Sequence, residues 1–468
     1  MTNGRAYEER IQAKMAAAGV ATPTIRAFLK AVARVAAGDK GLMPELTIEP
    51  VANLTALESL SQKIDAGLLN QLAVIKLNGG LGTSMGLDRA KSLLPVKGGD
   101  TFLDFIARQI LALRQQQNSR QPAFYLMNSF STQHETLEYL RKYPALADGD
   151  KLDFLQSKVP KIDATNYEPV AWPENPELEW CPPGHGDLYP SLLGTGLMER
   201  LLDKGIKYLF VSNSDNLGAT VDLRILAYLA ETGASFLMEV TERTAADRKG
   251  GHLARRKSDG RLVLRESAQC PKKDEAQFQD ISRHRYFNTN NLWLRLDHLR
   301  AELERNGGVI PLPLIRNVKT VDPRKPDSPK VLQLESAMGA AIESFQRTTA
   351  VLVPRTRFSP VKTTADLLAL RSDAYSLTSD HRLVLAEARH GQPPAIELDG
   401  HYKMLPDFDK AFDQAIPSLI DCTSLQIAGR WQFSSGVVCR GVVQFSNQTS
   451  ECQRVPPGIY DNRGLTVS

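Results

Sequence analysis

No two cysteines in this sequence stand at C-x-x-C spacing, and the five present (Cys181, Cys270, Cys422, Cys439 and Cys452) are scattered and odd in number. That pattern speaks against a zinc site or a dithiol redox motif and leaves reduced thiols as the simplest reading. Long apolar runs are missing too, so nothing in the sequence is suited to crossing a bilayer. The opening Met1-Thr2-Asn3-Gly4-Arg5 leads into a charged helical stretch instead of an apolar segment with a cleavage site. No signal peptide, no membrane partner and a cytoplasmic location are therefore expected. Charge of one sign is also scarce: the net charge is +4 over 468 residues and Lys and Arg are dispersed, which removes the footprint of a nucleic-acid binder. What remains is the composition of a globular enzyme, 42% hydrophobic and 24% charged, long enough for a large catalytic domain with appendages.

Three regions follow from the patterning. Residues 1–70 read as an N-terminal helical segment, amphipathic from Tyr7 to about Leu69 and interrupted near Pro23 and across Gly38 to Pro50. Residues 71–392 alternate strand-like and helix-like pieces, the signature of an α/β domain with a parallel or mixed sheet flanked by helices. Strands are expected at Leu72 to Leu77, Ala123 to Met127, Tyr208 to Val211, Ser235 to Val240 and Ala350 to Val353. Helices are expected at Phe102 to Arg114, opened by Thr101 and Asp104 as a capping box, and at Ser191 to Lys204, stopped by Gly205. Arg255 to Arg265 reads as a hairpin about Ser258-Asp259-Gly260. Residues 393–468 turn to short β-prone pieces at regular spacing, which suggests a small β-solenoid.

The segment Leu77-Asn78-Gly79-Gly80-Leu81-Gly82-Thr83-Ser84-Met85-Gly86 follows directly on an apolar strand. Glycines there let backbone N–H groups close on an anion, so the loop is a candidate phosphate cradle. A P-loop ending at Lys91-Ser92 would need glycines where Met85 and Ala90 stand, and a dinucleotide fingerprint fails at Met85. Lys91 just beyond the loop can bring a point charge to phosphate oxygens. Ser212-Asn213-Ser214-Asp215-Asn216 is a polar string at the end of a second apolar strand, with Asp215 suited to magnesium, which takes one or two carboxylates plus substrate phosphates; a turn-capping aspartate is the alternative. Pro182-Pro183-Gly184-His185-Gly186-Asp187 exposes an imidazole between glycines, and Phe287-Asn288-Thr289-Asn290-Asn291-Leu292-Trp293 sets amides among apolar residues. Lys362, in Pro360-Val361-Lys362-Thr363-Thr364, falls at a helix N-terminus that favours an anion.

These strings, with Ala268-Gln269-Cys270-Pro271 and in this order, resemble the eukaryotic-type UTP-glucose-1-phosphate uridylyltransferases over about Leu72 to Leu377. The resemblance implies a nucleotide-diphospho-sugar transferase-like mixed sheet and a C-terminal β-helix-like domain. It implies UTP, glucose 1-phosphate, UDP-glucose and pyrophosphate as partners, with Mg2+ as cofactor. Carried over, Leu77, Asn78, Gly79 and Gly80 line the nucleotide site, Gln156 reads uracil beside Gly184, and Lys91 and Lys362 meet phosphates. His185 and Asn213 contact sugar, ribose or phosphate, Asp215 holds the metal, and Gly251, Glu266 and Asn288 lie in the glucose wall. The chain departs from the family at Arg89-Ala90-Lys91-Ser92, where G-P-K-S is usual, and at Pro160-Lys161, where P-R is usual. An oligomer through the C-terminal domain is left open.

A phosphate monoester dianion is already a nucleophile, so direct in-line attack on the α-phosphorus of UTP needs no general base. The rival readings are a UDP-N-acetylhexosamine or broad UDP-sugar pyrophosphorylase on the same plan, a silent sugar-nucleotide-binding regulator, and a dehydrogenase.

Overall fold

The apolar run that ends in glycines becomes the middle of a mixed sheet. A computed structural model describes residues 6–147 and 151–468, so Met1 to Arg5, on which the signal-peptide reading rested, lies outside the described residues. The sheet contains β1 (Thr55–Ala56), β2 (Leu72–Asn78), β3 (Ala123–Asn128), β4 (Asp153–Leu155), β5 (Tyr208–Asn213), β6 (Phe236–Glu242), β7 (Tyr286–Arg295) and β8 (Thr348–Leu352). Their spatial order is β1-β8-β6-β7-β5-β2-β3-β4. Neighbours are parallel except β7, which runs antiparallel to both β5 and β6. Three short strands, Ile48–Pro50, His252–Arg256 and Leu262–Arg265, extend the sheet beside β7, the last two as the expected hairpin.

Alternation along these strands divides two cores. Val74, Leu126, Phe210 and Trp293 join one, while Ile75, Met127, Val211 and Leu292 join the other, as period-2 side chains require of a sheet covered on both faces. Helix Phe102–Gln116 covers the first face and starts with the capping box Thr101/Asp104. Tyr139, Tyr143 and Lys142 also converge on the Asp104 carboxylate and hold it far below the usual range.

Two expectations need correction. The interruptions fall where expected, before helix Thr22–Ala36, which Pro23 opens at its first turn where its missing N–H costs nothing, and across Gly38 to Pro50, but helix does not resume: residues 51–71 form 3-10 turns and one short strand. The helix expected over Ser191 to Lys204 is two, Leu188–Gly194 and Leu197–Asp203, broken at Gly196 with φ of +67°. No helix among the described residues is long and apolar enough to cross a membrane.

The C-terminal part is a parallel ladder of Ala395–Leu398, Ser418–Ala428, Val437–Asn447 and Gly458–Asp461, with Trp431–Phe433 parallel to Gln453–Val455. Such stacked parallel rungs are β-helix-like. Phe433 stacks on Phe412 at 4.9 Å and meets Phe445 edge-on at 5.3 Å. These rings belong to the same continuous core as Val74 and Phe210 of the central sheet.

Truncating Phe433 to Ala should therefore cost about 3–5 kcal/mol and still leave a single calorimetric unfolding peak. Two separated peaks in the wild type would show that the parts hold independent cores.

Candidate active site

β2 and β5 are parallel neighbours in register, with Leu77 opposite Asn213, so the glycine loop and the Ser214-Asp215-Asn216 string leave the sheet side by side. Ligands of open α/β sheets bind at this edge. Ser214 N–H donates to Leu77 O at 3.0 Å and its hydroxyl donates to Asn78 Oδ1 at 3.1 Å. The Asn78 amide donates to Asn128 Oδ1 and Thr136 Oγ1 at 2.8 and 3.1 Å. Its buried side chain is thus committed to protein, and Asn78 shapes the loop instead of reaching a ligand.

A continuous path of contacts then joins the charged candidates. Lys91 N–H donates to Gly80 O at 3.1 Å, and Lys91 Nζ donates to Asp215 Oδ2 at 2.7 Å, both side chains 18% exposed. Val361 N–H donates to Asp215 O at 3.3 Å, and Asn216 bridges to Pro360. Lys362 follows, exposed, just before Thr363, which caps helix Thr364–Arg371 in a capping box with Asp366. Burial pushes the Glu266 carboxyl up and the Lys362 ammonium pulls it back. Contacts thus link Gly80, Lys91 and Asp215 to the segment that carries Lys362, and Lys362 acts electrostatically on Glu266.

The uracil candidates meet at its flank. Gln156 N–H donates to Asn128 O at 2.7 Å, its Nε2 donates to Gly184 O at 3.0 Å, and its Oε1 packs against Gly79, where an added Cβ would come within 2.6 Å. Nearby, His185 Nδ1 accepts from Met338 N–H at 3.0 Å, which places the proton on Nε2 and presents it as a donor. Burial lowers His185 to about 4, so the ring is neutral near pH 7. Gly251 lies against the Glu266 carboxylate, and its carbonyl accepts from Asn288 N–H at 3.3 Å. The Asn288 amide is turned to Asn290. Lys161 is elsewhere: its buried ammonium donates to Val321 O, so that departure from the family's pattern does not reach the site directly.

Three buried charges under the site were missed in the sequence. Lys76 Nζ donates to Ser212 Oγ at 2.8 Å and Ala219 O at 2.6 Å, and burial lowers it to about 7. Glu239 and Arg357 form a two-pronged pair at 2.7 Å on both arms. The signal was available for two of them: a lysine inside Ala-Val-Ile-Lys-Leu and a glutamate inside Phe-Leu-Met-Glu-Val cannot be buried without dedicated partners.

The sheet, the glycine cradle at its edge and the paired ammonium groups define a nucleotidyltransferase of the α/β class. The sequence profile of the UTP--glucose-1-phosphate uridylyltransferase family matches residues 26–440, and the chain belongs to that family. It is 42% identical over 393 residues to the UTP--glucose-1-phosphate uridylyltransferase of Solanum tuberosum, covering 84% of this chain and 80% of that protein. It is 43% identical over 376 residues to the Saccharomyces cerevisiae enzyme of the same name, covering 80% and 74%. Among solved structures, a Leishmania major UDP-glucose pyrophosphorylase variant in complex with UDP-glucose superposes with a TM-score of 0.92 at 48% identity, covering 98% of each chain. A Trypanosoma brucei UDP-glucose phosphorylase superposes at 0.90 with 50% identity, covering 99% of this chain and 100% of that one.

Two adjacent glycines separate protein packing from ligand approach. An added Cβ at Gly80 meets no protein atom within 4 Å, so Gly80→Ala should change stability by less than about 0.5 kcal/mol while raising KM for the nucleotide about tenfold. Gly79→Ala should raise that KM too, but at a cost in packing, because its added Cβ displaces Gln156. An unchanged nucleotide KM in both variants would remove the loop from the binding site.

A pH test comes from Pro182 to Asp187. His185 falls from its ordinary 6.5 to about 4, so its contribution to stability is complete above pH 6.5 and is lost as pH drops toward 4. Burial raises Asp187 from 3.8 to about 6, so its contribution is complete below pH 3.8 and is lost as pH rises through 6. The two oppose each other, each by roughly 3 kcal/mol. Asp187→Asn should therefore expose a stability that falls on acidification from pH 6.5 to 4, read by urea unfolding. A difference from wild type that stays constant across this range would contradict the assignment.

Proposed function

We propose that the chain converts UTP and glucose 1-phosphate reversibly to UDP-glucose and pyrophosphate by direct in-line transfer at this strand edge. The observation that carries the reading is the run of contacts Gly80–Lys91–Asp215–Val361 that ends beside Lys362. The Gly80 backbone, the Lys91 ammonium and the Asp215 carboxylate lie along it, Lys362 adjoins its end in the chain, and the relatives named above carry the name of this activity.

At that edge Gln156 Nε2 donates to Gly184 O, which also accepts from Asp187 N–H, so a uracil imide would take the second Nε2 hydrogen of Gln156 with Gly184 beside the base. Gly79 and Gly80 allow the triphosphate to approach the backbone. A sugar phosphate oxygen forms the new bond to the α-phosphorus, and the α–β bridging bond breaks with its electron pair leaving on pyrophosphate. Lys91 and Lys362 neutralise the oxygens on which charge grows, and His185 donates through Nε2 to a sugar or phosphate oxygen. Gly251 and Glu266 face the sugar.

Mg2+ fits the donors present. Among the described residues no cluster of three or more His, Cys, Asp and Glu forms a closed cage, whereas magnesium commonly takes one or two carboxylates and completes its shell with phosphates and water. Asp215 supplies such a carboxylate, with Oδ2 held by Lys91. When bound, the ion would supply charge neutralisation and alignment of the phosphates. Any self-association through the C-terminal domain would use its exposed Val442 and Ile459.

The test is a pyrophosphate-release assay with purified protein, UTP and a panel of sugar 1-phosphates. Glucose 1-phosphate should be preferred over N-acetylglucosamine 1-phosphate, chelation should stop turnover, and magnesium should restore it. Double-reciprocal plots should intersect; parallel lines would exclude direct transfer. Lys362→Ala should lower kcat about 100-fold with little change in melting temperature, because the side chain is exposed. Wild-type turnover would remove Lys362 from the mechanism.

A further inference from the structure

Beneath the site lies a polar hub closed off from solvent. Glu239 on β6 is fully buried and Arg357 is 7% exposed. Arg357 Nε and Nη2 donate to the two Glu239 oxygens, and Nη2 also donates to Thr220 O at 2.8 Å. Trp293 Nε1 and Asn291 Nδ2 of β7 donate to the remaining Glu239 lone pairs at 2.8 and 3.1 Å. Every atom of the carboxylate is thus engaged.

The hub's outer connections run to the two loops that carry phosphate chemistry. The Arg357 carbonyl accepts from Asn216 Nδ2 at 3.1 Å and Asn291 Nδ2 at 3.3 Å, and Ser359 N–H donates to Asn216 Oδ1 at 3.0 Å. Asn216 adjoins Asp215, and Ser359 lies three residues before Lys362. A Cβ at Gly218 would come within 2.3 Å of Thr356 O, so the two loops are in backbone contact. Asp222 and Lys76 add their charges to the surroundings of Arg357 and Glu239.

A buried ion pair is a poor device for stability alone, because desolvation consumes most of its Coulomb energy and apolar replacements are often neutral or better. What this pair does that an apolar pair cannot is fix a direction: its planar fork and the Arg357 carbonyl set where residues 356–361 sit against residues 215–220. We infer that Glu239 and Arg357 are positioning residues that hold the Pro360-Val361-Lys362 segment against the Asp215-Asn216 loop for the transfer step. They touch no substrate. This rests on the proposed roles of Asp215 and Lys362.

The test compares Glu239→Leu/Arg357→Met, which removes both charges together, with Arg357→Lys, which keeps a charge but loses the fork. Both are assayed in the full chain beside Lys362→Ala. The expected result is a kcat reduced at least about tenfold with KM for UTP within about threefold, in a double variant that still folds but melts lower than wild type because Trp293 Nε1 loses its acceptor. Adding Lys362→Ala to either background should cost much less than it costs in wild type, because the lysine's contribution has already been lost. Should the double variant not fold, Arg357→Lys carries the test alone. A kcat within about threefold of wild type, a loss confined to KM for UTP, or full additivity with Lys362→Ala would each overturn the inference. Wild-type turnover in Lys362→Ala would instead overturn the reading of the site on which it rests.

Discussion

Register between β2 and β5 is the constraint from which the site follows. Leu77 faces Asn213 across a parallel ladder whose residues are buried on both faces, so slipping the pairing by one residue would turn Val74 and Phe210 out of one core and Ile75 and Val211 out of the other. With that slip forbidden, the two strands end at the same height. The glycine loop and the Asp215 string then emerge as neighbours, and Lys91 reaches Asp215 across 124 residues of sequence. Asn78 and Ser214 lock the same edge through their side chains.

The ionic contacts built on that edge are of two kinds, and burial separates their roles. Lys91 and Asp215 meet through a single hydrogen bond with both side chains part-exposed. A pair in that setting is worth little, so phosphates or a cation can exchange into it at small cost. Glu239 and Arg357 meet through two bonds in a place water does not reach. Breaking that pair would leave an uncompensated charge in the interior, which commonly costs 3–5 kcal/mol. The less buried pair therefore lies at the open strand edge, and the two-bond pair in the interior beneath it.

The division between what the sequence discloses and what it hides follows the range of the interactions. Local signals were legible: the run Leu72 to Leu77 ending in glycines, the capping box at Thr101, and the hairpin about Asp259-Gly260. The motif strings also picked out segments that the sheet brings to one edge, the glycine loop beside the Asp215 string and the Pro360-Val361-Lys362 segment. Non-local pairing was not legible. Nothing near Thr55 or Ile48 says that these residues cap the far side of the sheet, because their partners are Val351 and Arg256. The amphipathic pattern around Thr55 was read as helix, and pairing with a distant strand overrode it. The break at Gly196 was misjudged for a different reason: a single glycine in an apolar periodic stretch is tolerated in many helices.

Asn78 shows how a motif can name the right residue and misstate its work. Its place in Lys76 to Gly86 makes it a ligand contact by analogy, yet its amide is consumed by Asn128, Thr136 and Ser214. Lys76, two residues earlier, is likewise turned inward, to Ser212 and Ala219. Both polar side chains leave the strand on the protein side and hold the Asp215 string, so the ligand side of this motif belongs to the backbone of Gly79 and Gly80. A polar residue embedded in a buried strand has to satisfy its hydrogen bonds within the fold first. Only what is left over can face substrate, and for β2 what is left over is main chain.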